Sequence, residues 1–81
     1  MNIYLIRQGV NDDYDTYDSA IVAAETGAEA QRIHPRKGTK WDGRAEEIGD
    51  EWCDAEHVTA THIGTGYKGD AGVILASYHA G

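Results

Sequence analysis

Residues that favour β-strands fall into four short runs, and that pattern leaves few folds open to an 81-residue chain. The runs are residues 2–8 (NIYLIRQ), 19–24 (SAIVAA), 58–63 (VTATHI) and 73–79 (VILASYH), all rich in β-branched, aromatic or small apolar side chains. In the first, Ile3, Leu5 and Arg7 alternate with Tyr4, Ile6 and Gln8, the period of two that a strand requires. The second is apolar on both faces, which predicts a central strand covered on at least one side. One helix signal stands between the two strand pairs. Thr26-Gly27-Ala28-Glu29 has the form of a capping box, with Ala30, Ile33 and His34 on one face. Pro35 then disfavours a helical residue before it, so a helix of about nine residues starting at Thr26 is expected, with His34 as a cation at its C-terminus. The glycine-rich connection GTGYKGDAG makes the last two strands an expected antiparallel hairpin. The result is a ββαββ pattern: a single α+β domain over residues 1–81, with a roughly four-stranded antiparallel sheet and one short helix packed on a face.

A domain of this size buries only about 60 to 65% of the surface its unfolded chain exposes, so its core is small. Dimerisation or a tight partner would add burial. A lone cysteine, Cys53, leaves no internal disulfide and fits a reducing compartment. The run MNIYLIRQ is too short for a signal-peptide core, and no stretch approaches the roughly 20 apolar residues of a membrane helix. A soluble, cytoplasmic protein without a membrane partner is expected. Residues 36–56 are polar and punctuated by Gly38, Gly43 and Gly49, with Trp41, Ile48 and Trp52 as large apolar anchors. A brief helix over residues 44–51 would turn Ala45 and Ile48 inward.

Charge is segregated along the chain. Residues 1–31 are net −5, residues 32–44 net +4 and residues 45–81 net −6, within a total of −7. Such blocks govern association more than fold. Two acidic clusters stand out as candidate partner-binding edges: Asp12, Asp13, Asp15 and Asp18 with Tyr14 and Tyr17, and Glu46, Glu47, Asp50 and Glu51. Clustered carboxylates can dock on a basic groove and imitate a phosphate backbone, with electrostatics steering the encounter. The alternative site is the basic segment, where Arg36, Lys37, Lys40 and Arg44 could hold phosphates while Trp41 stacks on a base. A strongly acidic chain makes direct nucleic-acid binding the weaker of the two.

No motif names a reaction. Gly64-Thr65-Gly66-Tyr67-Lys68-Gly69 spells a dinucleotide fingerprint, but a strand rather than a helix is expected after it. The run NDDYDTYD lacks the glycine and the bidentate glutamate of a calcium loop in either register. His57 and His62 have opposite parity and do not form a zinc set with Cys53. Ser19 and Ser77 fall on expected strands, without the strained turn that exposes a nucleophile, and Cys53 has no evident base. No catalytic residue, metal or cofactor is therefore expected, and the chain is read as a binding protein.

In YDTYDSAIVAAETGAEAQRIHP (residues 14–35) and IGTGYKGDAGVILASYHAG (residues 63–81) the chain resembles a group of short uncharacterised bacteriophage and prophage proteins. That resemblance implies a setting rather than a site: a small acidic accessory protein in the bacterial host cytoplasm. It would act by stoichiometric binding to a host protein with a basic surface, as an anti-CRISPR-like inhibitor of a nucleic-acid-handling or defence complex.

Overall fold

In the computed structural model, which describes residues 1–10, 16–35 and 52–79, all four expected runs are strands. They are β1 (Asn2–Arg7), β2 (Thr16–Ala24), β3 (Thr59–Gly64) and β4 (Gly72–His79). A one-turn helix, α1 (Gly27–Ala30), follows β2, and a 3-10 turn (Ala55–His57) leads into β3. The strands form one sheet in the order β3-β1-β2-β4, with every neighbouring pair antiparallel. This is the small α+β fold that the strand and helix signals predict, with the second run in a central strand.

The expected hairpin between the last two strands does not form: β3 pairs with β1, β4 pairs with β2, and the two lie at opposite edges. Residues 65–71 therefore cross one end of the sheet, three strand spacings or about 14 Å. Seven extended residues reach roughly 23 Å, so the crossing is unstrained. It is pinned midway, where the Met1 amino group donates to the Tyr67 carbonyl and the Tyr67 N–H donates to the Met1 carbonyl, both at 3.0 Å. Gly66 supplies the left-handed turn at φ 79°. Lengthening a connection costs closure entropy only slowly. In return, β1 and β2, which carry apolar residues on both faces, gain a neighbour on each side.

The core lies on the face that α1 and Trp52 cover. Tyr4 and Ile6 of β1 and Ala20, Val22 and Ala24 of β2 pack there with Ala30, Ile33, Trp52, Cys53 and Val58. Period two accounts for the strand members, since all five occupy even positions. Trp52 is the largest fully buried side chain, and its burial together with Ile6, Ile33 and Val22 contributes about 1.5–3 kcal/mol for each aliphatic residue.

α1 begins as expected but stops early. Thr26 is its N-cap, and the Glu29 N–H donates to Thr26 Oγ1 at 3.1 Å. The carboxylate of Glu29 reaches back to the N–H of Glu25, one residue before the position a capping box serves. After Ala30 the chain tightens, with the Arg32 N–H donating to Glu29 and the Ile33 N–H to Ala30, so three-residue turns replace the remaining helix. Gln31 Nε2 donates to the Val58 carbonyl at 2.7 Å, tying this turn to the entry of β3. Ala30 and Ile33 face the core as their spacing predicts. His34 is also fully buried and lies beyond the helix, so it is a core side chain rather than a solvated cation at a helix end. The brief helix expected over 44–51, with Trp41 and Ile48, lies outside the described residues.

Candidate functional site

Two surfaces of contrasting chemistry emerge from this arrangement. The first is the sheet face opposite the core. The register places Thr61 of β3, Leu5 of β1, Ile21 of β2 and Leu75 of β4 in one row across all four strands. Leu75 is 64% exposed although it is a leucine in the middle of a strand. Beside it runs an open groove of about 280 Å³, lined by Leu5, Ile21, Leu75 and the small residues Ser19, Ala20, Ala76 and Ser77. The row toward the crossing connection is closed off, since Ala23 and Gly72 are buried. The row on the other side holds Thr59, Arg7, Ser19 and Ser77, so Arg7 is the one charged residue in these rows.

The second surface is the sheet end where β1 finishes and β2 and β3 begin. Gln8 organises it: its backbone N–H donates to the Asp18 carbonyl, its Nε2 donates to the Tyr17 carbonyl at 2.9 Å, and its Oε1 accepts from the Val10 N–H. These bonds tie Val10, on one side of segment 11–15, to Tyr17 and Asp18 on the other. Asp18 is exposed here and accepts from Ser19 Oγ at 3.1 Å. The 3-10 turn brings Asp54, Glu56 and His57 together, with ligand atoms all within 4.8 Å of one another. His57 Nε2 is 3.4 Å from the Glu56 carboxylate, and both side chains are exposed. A polar groove of about 320 Å³ lies alongside, lined by Arg7, Gln8, Gly9, His57, Thr59 and Thr61.

Of the predicted partner-binding residues, Tyr17 and Asp18 are among the described ones. Asp18 faces solvent, while Tyr17 is half-buried and packs against the core. Asp12, Asp13, Tyr14, Asp15, Glu46, Glu47, Asp50 and Glu51 lie outside the described residues, as do Arg36, Lys37, Lys40, Trp41 and Arg44 of the alternative site. Sequence reasoning missed the Leu5–Ile21–Leu75 row, in which Leu75 is exposed and Leu5 and Ile21 are half-buried. Its signal was the alternation itself: Ile3 and Leu5 are as apolar as Tyr4 and Ile6, so one apolar set had to face away from the core.

Side chains considered for chemistry are placed in structural roles. Cys53 is buried in the core, and desolvation, with a smaller contribution from the neighbouring Asp54 carboxylate, pushes its thiol from 9.0 up to about 11. A thiol held protonated in this way is a poor nucleophile. Ser19 and Ser77 sit opposite each other on paired strands. His62 lies against Tyr4, with ring centroids 5.4 Å apart, while His57 belongs to the 3-10 turn, so the two do not share a strand. After Gly64, Gly66 and Gly69 the chain enters β4 rather than a helix, so the loop does not lead into a helix N-terminus. Among the described residues, no helix is long and apolar enough to cross a membrane.

Among the described residues, α1 and Trp52 lie over one face of the sheet, and the other face presents the row of Thr61, Leu5, Ile21 and Leu75. The chain matches no protein-family model, no curated protein and no solved structure.

Proposed function

We propose that this protein works by stoichiometric binding to another protein that presents a basic surface, with the acidic end of its sheet as the docking side. The observation that carries the reading is that Asp54 and Glu56, just before β3, and Asp18, in the first residues of β2, lie at the end of the sheet from which the acidic segment 11–15 leaves and to which it returns. With 14 acidic against 7 basic residues, such an end attracts a cationic groove and accelerates encounter. The buried, protonated Cys53 and the strand-bound serines favour binding over catalysis. The narrower form of the proposal is an inhibitor of a bacterial nucleic-acid-handling or defence complex, in which spaced carboxylates take the place of phosphates. That form rests on the acidic clusters and on the resemblance to phage-encoded proteins.

The test is capture of partners by the tagged protein from nuclease-treated bacterial lysate at low and moderate salt. One stoichiometric protein, released as salt rises and lost on reversing Asp13 and Asp15 to lysine, is the expected result. Retention that ignores both salt and charge reversal would remove the acidic docking surface. Capture of nucleic acid instead of protein would move the site to Arg36, Lys37, Lys40, Trp41 and Arg44.

A further inference from the structure

We infer that the polar groove where β1 ends and β3 begins is a binding site for a small phosphate monoester, with Arg7 as the residue that grips the phosphate. Strand register builds the site. Arg7 stands opposite Thr59 and Leu5 opposite Thr61, so both threonines share the sheet face of Arg7. His57 closes the 3-10 turn two residues before Thr59. With Gln8 and Gly9 these residues line the groove of about 320 Å³. Arg7, His57, Thr59 and Thr61 are all exposed, so their polar atoms are open to a ligand.

Chemistry selects the ligand. The chain carries 14 acids, yet none of the described ones lines this groove; Asp54 and Glu56 stand at the turn beside it. Among the described residues, no carboxylate pairs with the Arg7 guanidinium, and no side-chain hydrogen bond takes up the hydroxyl of Thr59 or Thr61. A guanidinium presents a fixed fork of N–H donors that matches two oxygens of a phosphate or a carboxylate. The hydroxyls and the imidazole add donors beyond that fork, and a phosphate offers them a third terminal oxygen where a carboxylate has none. The groove is near the lower end of small-molecule sites in size and lacks large apolar walls, which suits a small polar group esterified to the phosphate. A net charge of −7 disfavours anions at a distance, but that repulsion is largely screened beyond about 8 Å at physiological salt, so contacts inside the groove decide. No partner protein is needed, so this inference stands apart from the docking proposal.

Nuclear magnetic resonance titration of the isotope-labelled full chain tests it, with inorganic phosphate, methyl phosphate, acetate and chloride added at matched ionic strength. The expected result is saturable shifts at Arg7, Thr59 and Thr61 with both phosphates, at a dissociation constant on the order of 1 mM. Arg7→Gln should weaken binding by about tenfold or more, since it removes the charge-assisted pair. Arg7→Lys keeps the charge without the fork and should weaken it severalfold. Thr61→Val removes one hydroxyl and should cost about threefold. All three changes fall at exposed strand positions, so each variant should keep the wild-type far-UV spectrum. Shifts that stay linear to about 50 mM, or that chloride reproduces, would overturn a specific site. Undiminished binding by Arg7→Gln would overturn the role of Arg7. Acetate binding as tightly as phosphate would overturn the choice of phosphate over carboxylate, and rejection of methyl phosphate would overturn the monoester.

Discussion

Cys53 shows how a single side chain is governed by its surroundings. Burial, with the nearby Asp54 carboxylate, raises its thiol to about 11 in the folded chain against 9.0 for the free group. Between these values the unfolded chain has lost the proton that the folded chain retains. Stability from this group is therefore complete below pH 9.0 and is lost as pH rises through about 11, by roughly 2 kcal/mol. Urea unfolding between pH 8 and pH 11 should show that loss, and a Cys53→Ala variant should flatten it; equal slopes in both would assign the loss to other groups. Thr26 offers a second measurement at this scale. Its side chain satisfies the Glu29 N–H, so Thr26→Ala should cost about 1 kcal/mol in the same assay, whereas Thr26→Ser should cost little. Both residues could be singled out in the sequence, Cys53 as the lone cysteine and Thr26 by its partner three residues on. The raised thiol could not, because it depends on a core to which Ile6 and Ile33 come from distant parts of the chain.

For the secondary-structure elements, local signals located each strand within a few residues and failed on their pairing. The run VTATHI and the run VILASYH both became strands, yet the GTGYKGDAG connection joins opposite edges of the sheet instead of closing a hairpin. A glycine-rich connection permits both outcomes, and the choice lies in which pairing buries the central strands. Nuclear Overhauser contacts between Leu5 and Thr61 and between Ile21 and Leu75, with none between β3 and β4, are the expected spectroscopic pattern. Contacts between the last two strands would overturn the order β3-β1-β2-β4. The helix tells a similar story. Its start was written in the Thr26 cap, but its length was decided by Ile33 and Gln31, which turn the chain toward Val58 sooner than Pro35 alone demands.

At the scale of the whole molecule, a net charge of −7 on 81 residues opposes compaction. Added sodium chloride should therefore raise the thermal midpoint of the chain by a few degrees, because screening relieves repulsion between surface acids. A midpoint that falls as salt is added would mean that attractive ion pairs dominate the folded surface. That charge distribution is legible in the amino-acid sequence alone, and so are the fold class, the central position of the second strand and the alternation of β1 that divides its residues between two faces. These follow from chemistry carried by neighbouring residues: alternation of apolar side chains, β-branching, a cap and a proline. Other features required the tertiary structure. The strand order, the burial of His34 and the joining of Leu5, Ile21 and Leu75 into one row all depend on register between segments far apart in the chain. Local preferences are set within a few residues, whereas register is chosen by the burial that whole strands achieve together, which no single segment encodes.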